Sequence, residues 1–200
     1  MSKLVHGIGI NDKKYPAEVN NNPQKVYNIW QRMLERCTEK GWIKRPTYVG
    51  TTCSENFKSY SFFYEWCNKQ VGFGNKDERG KSWQLDKDIL FKGNKLYSED
   101  TCVFVPHRIN CMLTKGDSAR GEYPIGVRWH ENGKRFHARC CYRVGGKHKH
   151  LGLFNTPQEA FQAYKTFKES LIKEVAAEYK EVIDTRVYEA LIKYEVNIDD

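Results

Sequence analysis

The chain has 200 residues, with 33 Lys and Arg against 25 Asp and Glu and a formal net charge of +8. That length suits one large or two small domains with a real hydrophobic core, and the charge favours a polyanionic partner. No apolar run approaches the ~18 residues of a membrane span, and Met1-Ser2-Lys3-Leu4 opens without a signal-peptide core, so a soluble, cytoplasmic protein without a membrane partner is expected.

Residues 1–22 read as a polar arm ending in Asn20-Asn21-Asn22, with a Gly7-Ile8-Gly9 too short to argue phosphate binding. Asn22 as cap and Pro23 at the first helical position predict a helix start. Behind them Val26, Ile29, Trp30, Met33, Leu34 and Cys37 form one apolar stripe. Residues 38–52 read as a loop carrying Lys40, Lys44 and Arg45. Cys53-Ser54-Glu55-Asn56-Phe57 then leads into an aromatic-rich helix through Tyr60, Phe63, Tyr64 and Trp66. A base-stacking platform is one use of such rings, but Trp30, Phe57, Phe63 and Trp66 are more simply the core of an N-terminal domain.

Alternation marks 83–90 as a strand, followed by a turn over 91–95. Ser98, Asp100 and Thr101 make a turn or short helix start. Val103-Phe104-Val105-Pro106 is a second apolar piece, and His107-Arg108-Ile109-Asn110 closes the unit. Residues 115–120 are the expected linker.

Three patterns follow end to end in 121–168. Turn chemistry at Glu131-Asn132-Gly133 and Val144-Gly145-Gly146 separates antiparallel strands expected near 125–130, 134–142 and 147–152. In the middle strand Phe136, Ala138 and Cys140 alternate with Arg135, His137 and Arg139, which gives one packed face and one basic face. Thr156-Pro157-Gln158-Glu159 is a capping box with proline at the first helical position. Ala160, Phe161, Ala163, Tyr164, Phe167 and Leu171 then form a stripe able to cover the sheet. The helix is expected to continue through Val175, Tyr179 and Val182 and to break at Asp184-Thr185. A last short helix with Val187, Leu191 and Tyr194 then folds back on the domain.

The uncovered face carries Arg120, Arg128, Lys134, Arg135, Arg139, Arg143, Lys147 and Lys149 against only Asp117, Glu122 and Glu131. His130, His137, His148 and His150 are interleaved. A cationic sheet of this size suits the phosphate backbone and base edges of a DNA major groove, which admits strands. The plainer alternative is a solvated basic surface.

Gly126-Val127-Arg128, Gly133-Lys134, the run Leu151-Gly152-Leu153-Phe154-Asn155-Thr156, Glu159-Ala160 and Ala163-Tyr164 resemble the APETALA-type (ethylene-response-factor) DNA-binding domain over about 45 residues. In that family a three-stranded sheet enters the major groove with the helix packed behind it. The resemblance makes Arg128, Trp129, Lys134, Arg139 and Lys149 contact candidates, with His130, Arg135, His137, Arg143 and Lys147 on the same basic segment. Phe136 stands where that family has tryptophan, and the third strand is more basic than usual, which leaves the target sequence open.

Residues 83–110 resemble the strand-turn-helix unit of HNH nucleases in phage-borne homing endonucleases, preceded by a helix with Trp30, Met33 and Arg36-Cys37. The resemblance places Asp86-Lys87 at the end of the first strand, Asn94 in the loop and Asn110 on the helix, in a bacteriophage protein working in its bacterial host. It implies metal-assisted phosphodiester hydrolysis. Asp86 and Asn110 act as metal ligands, with Asp88 a further oxygen donor, a set that suits Mg²⁺ or Mn²⁺ better than zinc. A histidine base normally stands beside the first ligand. Here Lys87 takes that place, and a protonated lysine is a poor base unless burial lowers its pKa by several units; His107 is the replacement candidate.

Seven cysteines without paired CxxC spacing indicate neither a disulfide framework nor a structural zinc site. Cys102, His107 and Cys111 could offer three ligands, but buried thiols acting as small apolar groups are the commoner case.

The expectation is therefore an α+β protein: an N-terminal helical and ββα-metal (HNH-like) module, then a three-stranded antiparallel sheet packed on a long helix. The divisions are an arm (1–22), the nuclease-like module (23–114), a linker (115–120), the DNA-binding domain (121–183) and a terminal helix (184–200). The partner is double-stranded DNA, a monomer is the default state, and the activity is Mg²⁺- or Mn²⁺-dependent cleavage. The alternative is a catalytically degenerate DNA-binding regulator or accessory protein. RNA binding ranks below both, because the sheet shows no platform for unpaired bases.

Overall fold

The structure, a computed structural model, describes residues 4–113, 121–143 and 146–200, with Arg143 described by its backbone alone. The expected linker, with Asp117 and Arg120, lies outside the described residues, as do Val144 and Gly145 of the expected turn. The fold is α+β, in two units, Met1–Val105 and Pro106–Asp200.

In the first unit Asn20 and Asn21 both adopt left-handed backbone, φ 50° and 60°, as a two-residue type I′ hairpin requires. They join β1 (Glu18–Val19) to β2 (Asn22–Pro23). Asn22 and Pro23 are thus strand residues and not the cap and first turn of a helix. α1 (Lys25–Arg36) starts after Gln24, which makes no side-chain cap. Asparagine's tolerance of positive φ outweighed its capping preference here.

The arm before the hairpin is packed down. A Cβ on Gly9 would lie 2.2 Å from Leu34 Cδ1 and 2.9 Å from Trp30, so only glycine lets the arm cross α1. Ile10 then bonds through its main chain to Lys58 and Tyr60, and Tyr15 stacks on Tyr64 at 4.0 Å.

The expected loop after α1 contains a short helix, α2 (Glu39–Lys44), whose N-terminus is capped by the Thr38 side chain accepting from Gly41 N–H. Gly41 masks the helix in the sequence. It is required because a Cβ there would sit 1.9 Å from the Glu35 carbonyl oxygen. β3 (Thr52–Cys53) leads into α3 (Glu55–Lys58) and α4 (Tyr60–Lys69), capped by Ser54 and Ser59. Trp30, Phe57, Tyr60 and Phe63 are fully buried, Trp66 nearly so, and the Trp30 indole donates to the Phe57 carbonyl at 2.8 Å. The aromatic set is core.

The strand expected over 83–90 is only three residues long. β4 (Gln84–Asp86) pairs antiparallel with β6 (Val103–Val105), while β5 (Leu96–Tyr97) pairs parallel with β3. Ser98 and Thr101 close the turn between β5 and β6 through their hydroxyls.

The second unit begins with α5 (His107–Leu113). β7 (Val127–His130), β8 (Arg135–Arg143) and β9 (Lys147–Phe154) form an antiparallel sheet in that order, with the third strand two residues longer than expected. α6 (Pro157–Tyr179) opens with the capping box, Thr156 and Glu159 each satisfying the other's backbone N–H. Ala138 and Cys140 on β8 are buried, as are Ala160, Phe161 and Tyr164 on α6. α6 ends at Tyr179, before Val182, and α7 (Thr185–Ile192) starts at an Asp184 cap. It folds back on α6 with Val187 and Leu191 buried, and Lys165 and Glu169 clamp the main chain of Val196 at 2.8 Å each. No helix among the described residues is long and apolar enough to cross a membrane.

Candidate functional site

Two clusters hold the residues singled out by the sequence, one in each unit. In the first, β4 ends because the Asp86 carboxylate turns back on the chain. Its Oδ1 accepts the N–H groups of Asp88 (2.9 Å) and Ile89 (2.8 Å). Burial, reinforced by the Asp88 carboxylate, pushes the Asp86 carboxyl up to about 6. Two carboxyl groups this close resist ionising together.

Lys87 is 6 % exposed. Its ammonium donates to Asp88 Oδ2 at 3.1 Å and to the Asn94 carbonyl at 2.6 Å, and it stands 5.8 Å over the Tyr97 ring. Asn94 is a loop staple. Its amide donates to the carbonyls of Lys87 and Leu96 (2.7 Å each), and its oxygen accepts from Leu96 N–H.

Beside this cluster lie Arg36, which the sequence named only as part of the helix preceding the unit, and Tyr97, to which it gave no role. Arg36, in the last turn of α1, donates from Nη1 to the Tyr97 hydroxyl (3.2 Å) and lies 4.9 Å over the Tyr48 ring. Its buried Nε has no hydrogen-bond partner among the described residues, and the Asp86 carboxylate is among the charges acting on it. The signal was a lone arginine at the end of an otherwise apolar stripe, next to Cys37.

The structure thus brings Asp86, Lys87, Asp88 and Asn94 together in the first unit. His107 and Asn110 stand on α5 in the second unit. The His107 ring lies 3.3 Å from the Cys111 thiol, and the Asn110 N–H donates to the Pro106 carbonyl. Within the first unit the donor set for a hard cation is therefore two carboxylates, one balanced by Lys87. Among the described residues no three His, Cys, Asp or Glu side chains form a ligand group.

The second cluster is the open face of the sheet. Directly opposed residues on neighbouring strands share a face. The register sets Arg128 against His137 and His130 against Arg135, and on the other side Arg139 against His150 and Cys141 against His148. Arg128, His130, Arg135, His137, Arg139, His148 and His150 therefore lie on one face, the side of the sheet away from Ala138 and Cys140. Arg128 donates from Nε to His137 Nδ1 at 3.1 Å, and His137 Nε2 is 2.5 Å from His150 Nδ1. Burial pulls the His137 imidazole below its usual value. His150, Arg128, Arg139 and His130 act in the same direction.

Two expected contact residues lie on the other side. Trp129 is opposite Phe136, with ring centroids 5.0 Å apart and edge-on. Lys149 is opposite the buried Cys140 and places its ammonium 4.7 Å over the Phe167 ring of α6. Trp129 follows from strand alternation next to Arg128; the side of Lys149 could not be read from the sequence, because a bulge shifts the register between Ala138 and Arg139 and changes which β9 residues face the helix. His130 also serves the turn, accepting from Gly133 N–H (3.0 Å), and Lys134 occupies its left-handed position at φ 45°. Lys147 is exposed opposite Arg143, whose side chain is outside the described residues.

The chain matches no protein-family model, no curated protein and no solved structure.

Proposed function

We propose that the chain binds double-stranded DNA with the open face of its three-stranded sheet. The observation that carries this reading is the gathering of Arg128, Arg135 and Arg139 on one face with four histidines, while the apolar residues of β8 are taken up by α6. Arginine offers paired donors that suit phosphates and guanine edges. A short antiparallel sheet fits the width of a B-form major groove, whereas the deep, narrow groove of duplex RNA excludes it. The resemblance to APETALA-type domains supports the same reading. Fluorescence anisotropy with one labelled duplex made as DNA and as RNA tests it: DNA is bound more tightly, and equal or stronger binding to the RNA would refute it.

A second reading, an HNH-type endonuclease of homing type, is favoured by the Asp86–Asp88 pair, whose mutual repulsion a divalent cation would relieve. Asp86 and Asp88 would hold Mg²⁺ or Mn²⁺, which when bound supplies charge stabilisation for phosphodiester hydrolysis. Lys87 is bonded through its ammonium and accordingly serves as counter-charge to Asp88 in place of a base. Asn94 sets the loop around them. Incubating supercoiled plasmid with the protein and either ion decides between this reading and a degenerate, DNA-binding module. Nicking that Asp86→Ala abolishes supports the enzyme; intact plasmid throughout supports the regulator or accessory protein.

A further inference from the structure

We propose that His137 and His150 are positioning residues for Arg128, forming a hydrogen-bonded chain across all three strands that aims the arginine for sequence-selective contact and lets go when one proton is added. This rests on the reading of the sheet as a DNA-binding face.

The chemistry follows from which atoms can donate. Arginine has no acceptor, so its Nε–H, 3.1 Å from His137 Nδ1, requires that nitrogen to be unprotonated. Neutral His137 then carries its proton on Nε2, which lies 2.5 Å from His150 Nδ1. That nitrogen must accept, which places the His150 proton on its own Nε2. One guanidinium thus fixes the tautomers of two imidazoles, each on a different strand. In return Arg128 is held at Nε, and its two terminal nitrogens remain as a fixed pair of donors for a base edge or a phosphate.

The chain is intolerant of a proton. Protonating His137 sets an N–H against the arginine N–H, and protonating His150 sets one against His137 Nε2–H. Either step breaks one of the two bonds and adds a positive charge. The groups acting on His137 from the three strands are His150 on β9, Arg128 and His130 on β7, and Arg139 on β8 itself. Together with burial they hold His137 neutral to lower pH than a free imidazole. Acidification therefore raises the general attraction for phosphate while it releases Arg128, and selectivity falls as non-selective grip rises.

The test uses the full chain. Imidazole nitrogen NMR at pH 7.5 reads the tautomers directly: the inference expects His137 protonated at Nε2 and unprotonated at Nδ1, and the opposite tautomer overturns it. Duplexes enriched by the protein from a randomised pool at pH 7.5 are then compared with scrambled duplexes between pH 7.5 and 4.5, a window that reaches well below the ordinary imidazole value because His137 is lowered from it. The affinity ratio is expected to fall roughly tenfold, the scale of one lost bidentate contact. His137→Ala has the low ratio at every pH. His137→Gln, whose amide can accept from Arg128 and donate to His150 without titrating, keeps the high ratio and loses the pH dependence. A wild-type ratio that stays flat, no preference among duplexes at pH 7.5, or a His137→Gln profile identical to wild type overturns the inference. Absence of any duplex binding at pH 7.5 instead refutes the DNA-binding reading, and this inference with it.

Discussion

Lys87 and Asn94 hold each other twice: the Lys87 ammonium donates to the Asn94 carbonyl at 2.6 Å, and the Asn94 amide donates to the Lys87 carbonyl at 2.7 Å. The position where a nuclease of this pattern would carry its base is thus occupied by a side chain committed to the loop. Asn94→Ala removes three hydrogen bonds at once and is expected to lower unfolding stability by about 1–3 kcal/mol, read as a lower urea midpoint. An unchanged midpoint would mean that Asn94 is free to serve a ligand and does not hold the loop.

Asp86 makes stability depend on pH in an unusual sense. Its carboxyl titrates at about 6 in the folded chain against an ordinary 3.8, so the folded state keeps its proton longer than the unfolded one. Stability therefore falls as pH rises from about 4 to about 6 and levels off above. Asp86→Asn keeps an oxygen for the Asp88 and Ile89 N–H groups without the charge. It is expected to be more stable than wild type at pH 7.5 by about 1–2 kcal/mol, after discounting for the surface Asp86 retains. Paired thermal melts at pH 4 and 7.5 check this, and a variant that gains nothing at the higher pH contradicts the assigned penalty.

The two faces of the sheet should respond differently to substitution. Arg139→Ala is expected to weaken duplex binding, by about 1–3 kcal/mol if it reads a base, with little change in stability. Lys149→Ala should do the reverse, because its ammonium lies over Phe167 behind the sheet. Anisotropy titrations alongside melts of both variants would show the faces misassigned if Lys149→Ala carried the binding loss.

Gly126 has φ +79°, and a Cβ there would lie 2.1 Å from the Tyr164 ring. Gly126→Ala combines backbone strain with a collision against α6. It is expected to cost at least about 1–3 kcal/mol from the strain alone. A melting temperature equal to wild type would show that the start of β7 is not pressed against Tyr164.

Local rules made the second unit legible and hid parts of the first. The strand alternation at Phe136, Ala138 and Cys140, and the capping box at Thr156 and Glu159, are short-range signals, and both appear in the structure as read. Asn20-Asn21-Asn22 served two rules at once, helix cap and hairpin turn, and backbone conformation chose the turn. α2 was hidden by Gly41, a residue selected by the nearby Glu35 carbonyl and not by the helix. Arg36 and Tyr97 meet across 61 positions of chain, a pairing no local pattern encodes. The side of Lys149 was likewise set by a bulge, which depends on the neighbouring strand.

The most direct test of the sheet as a DNA grip is the salt dependence of duplex affinity for wild type and for the variant combining Arg128→Ala, Arg135→Ala and Arg139→Ala. The account predicts a log–log slope of roughly −0.9 per phosphate neutralised, shallower in the triple variant by as much as about 2–3. A salt-independent affinity, or a triple variant with the wild-type slope, would contradict it.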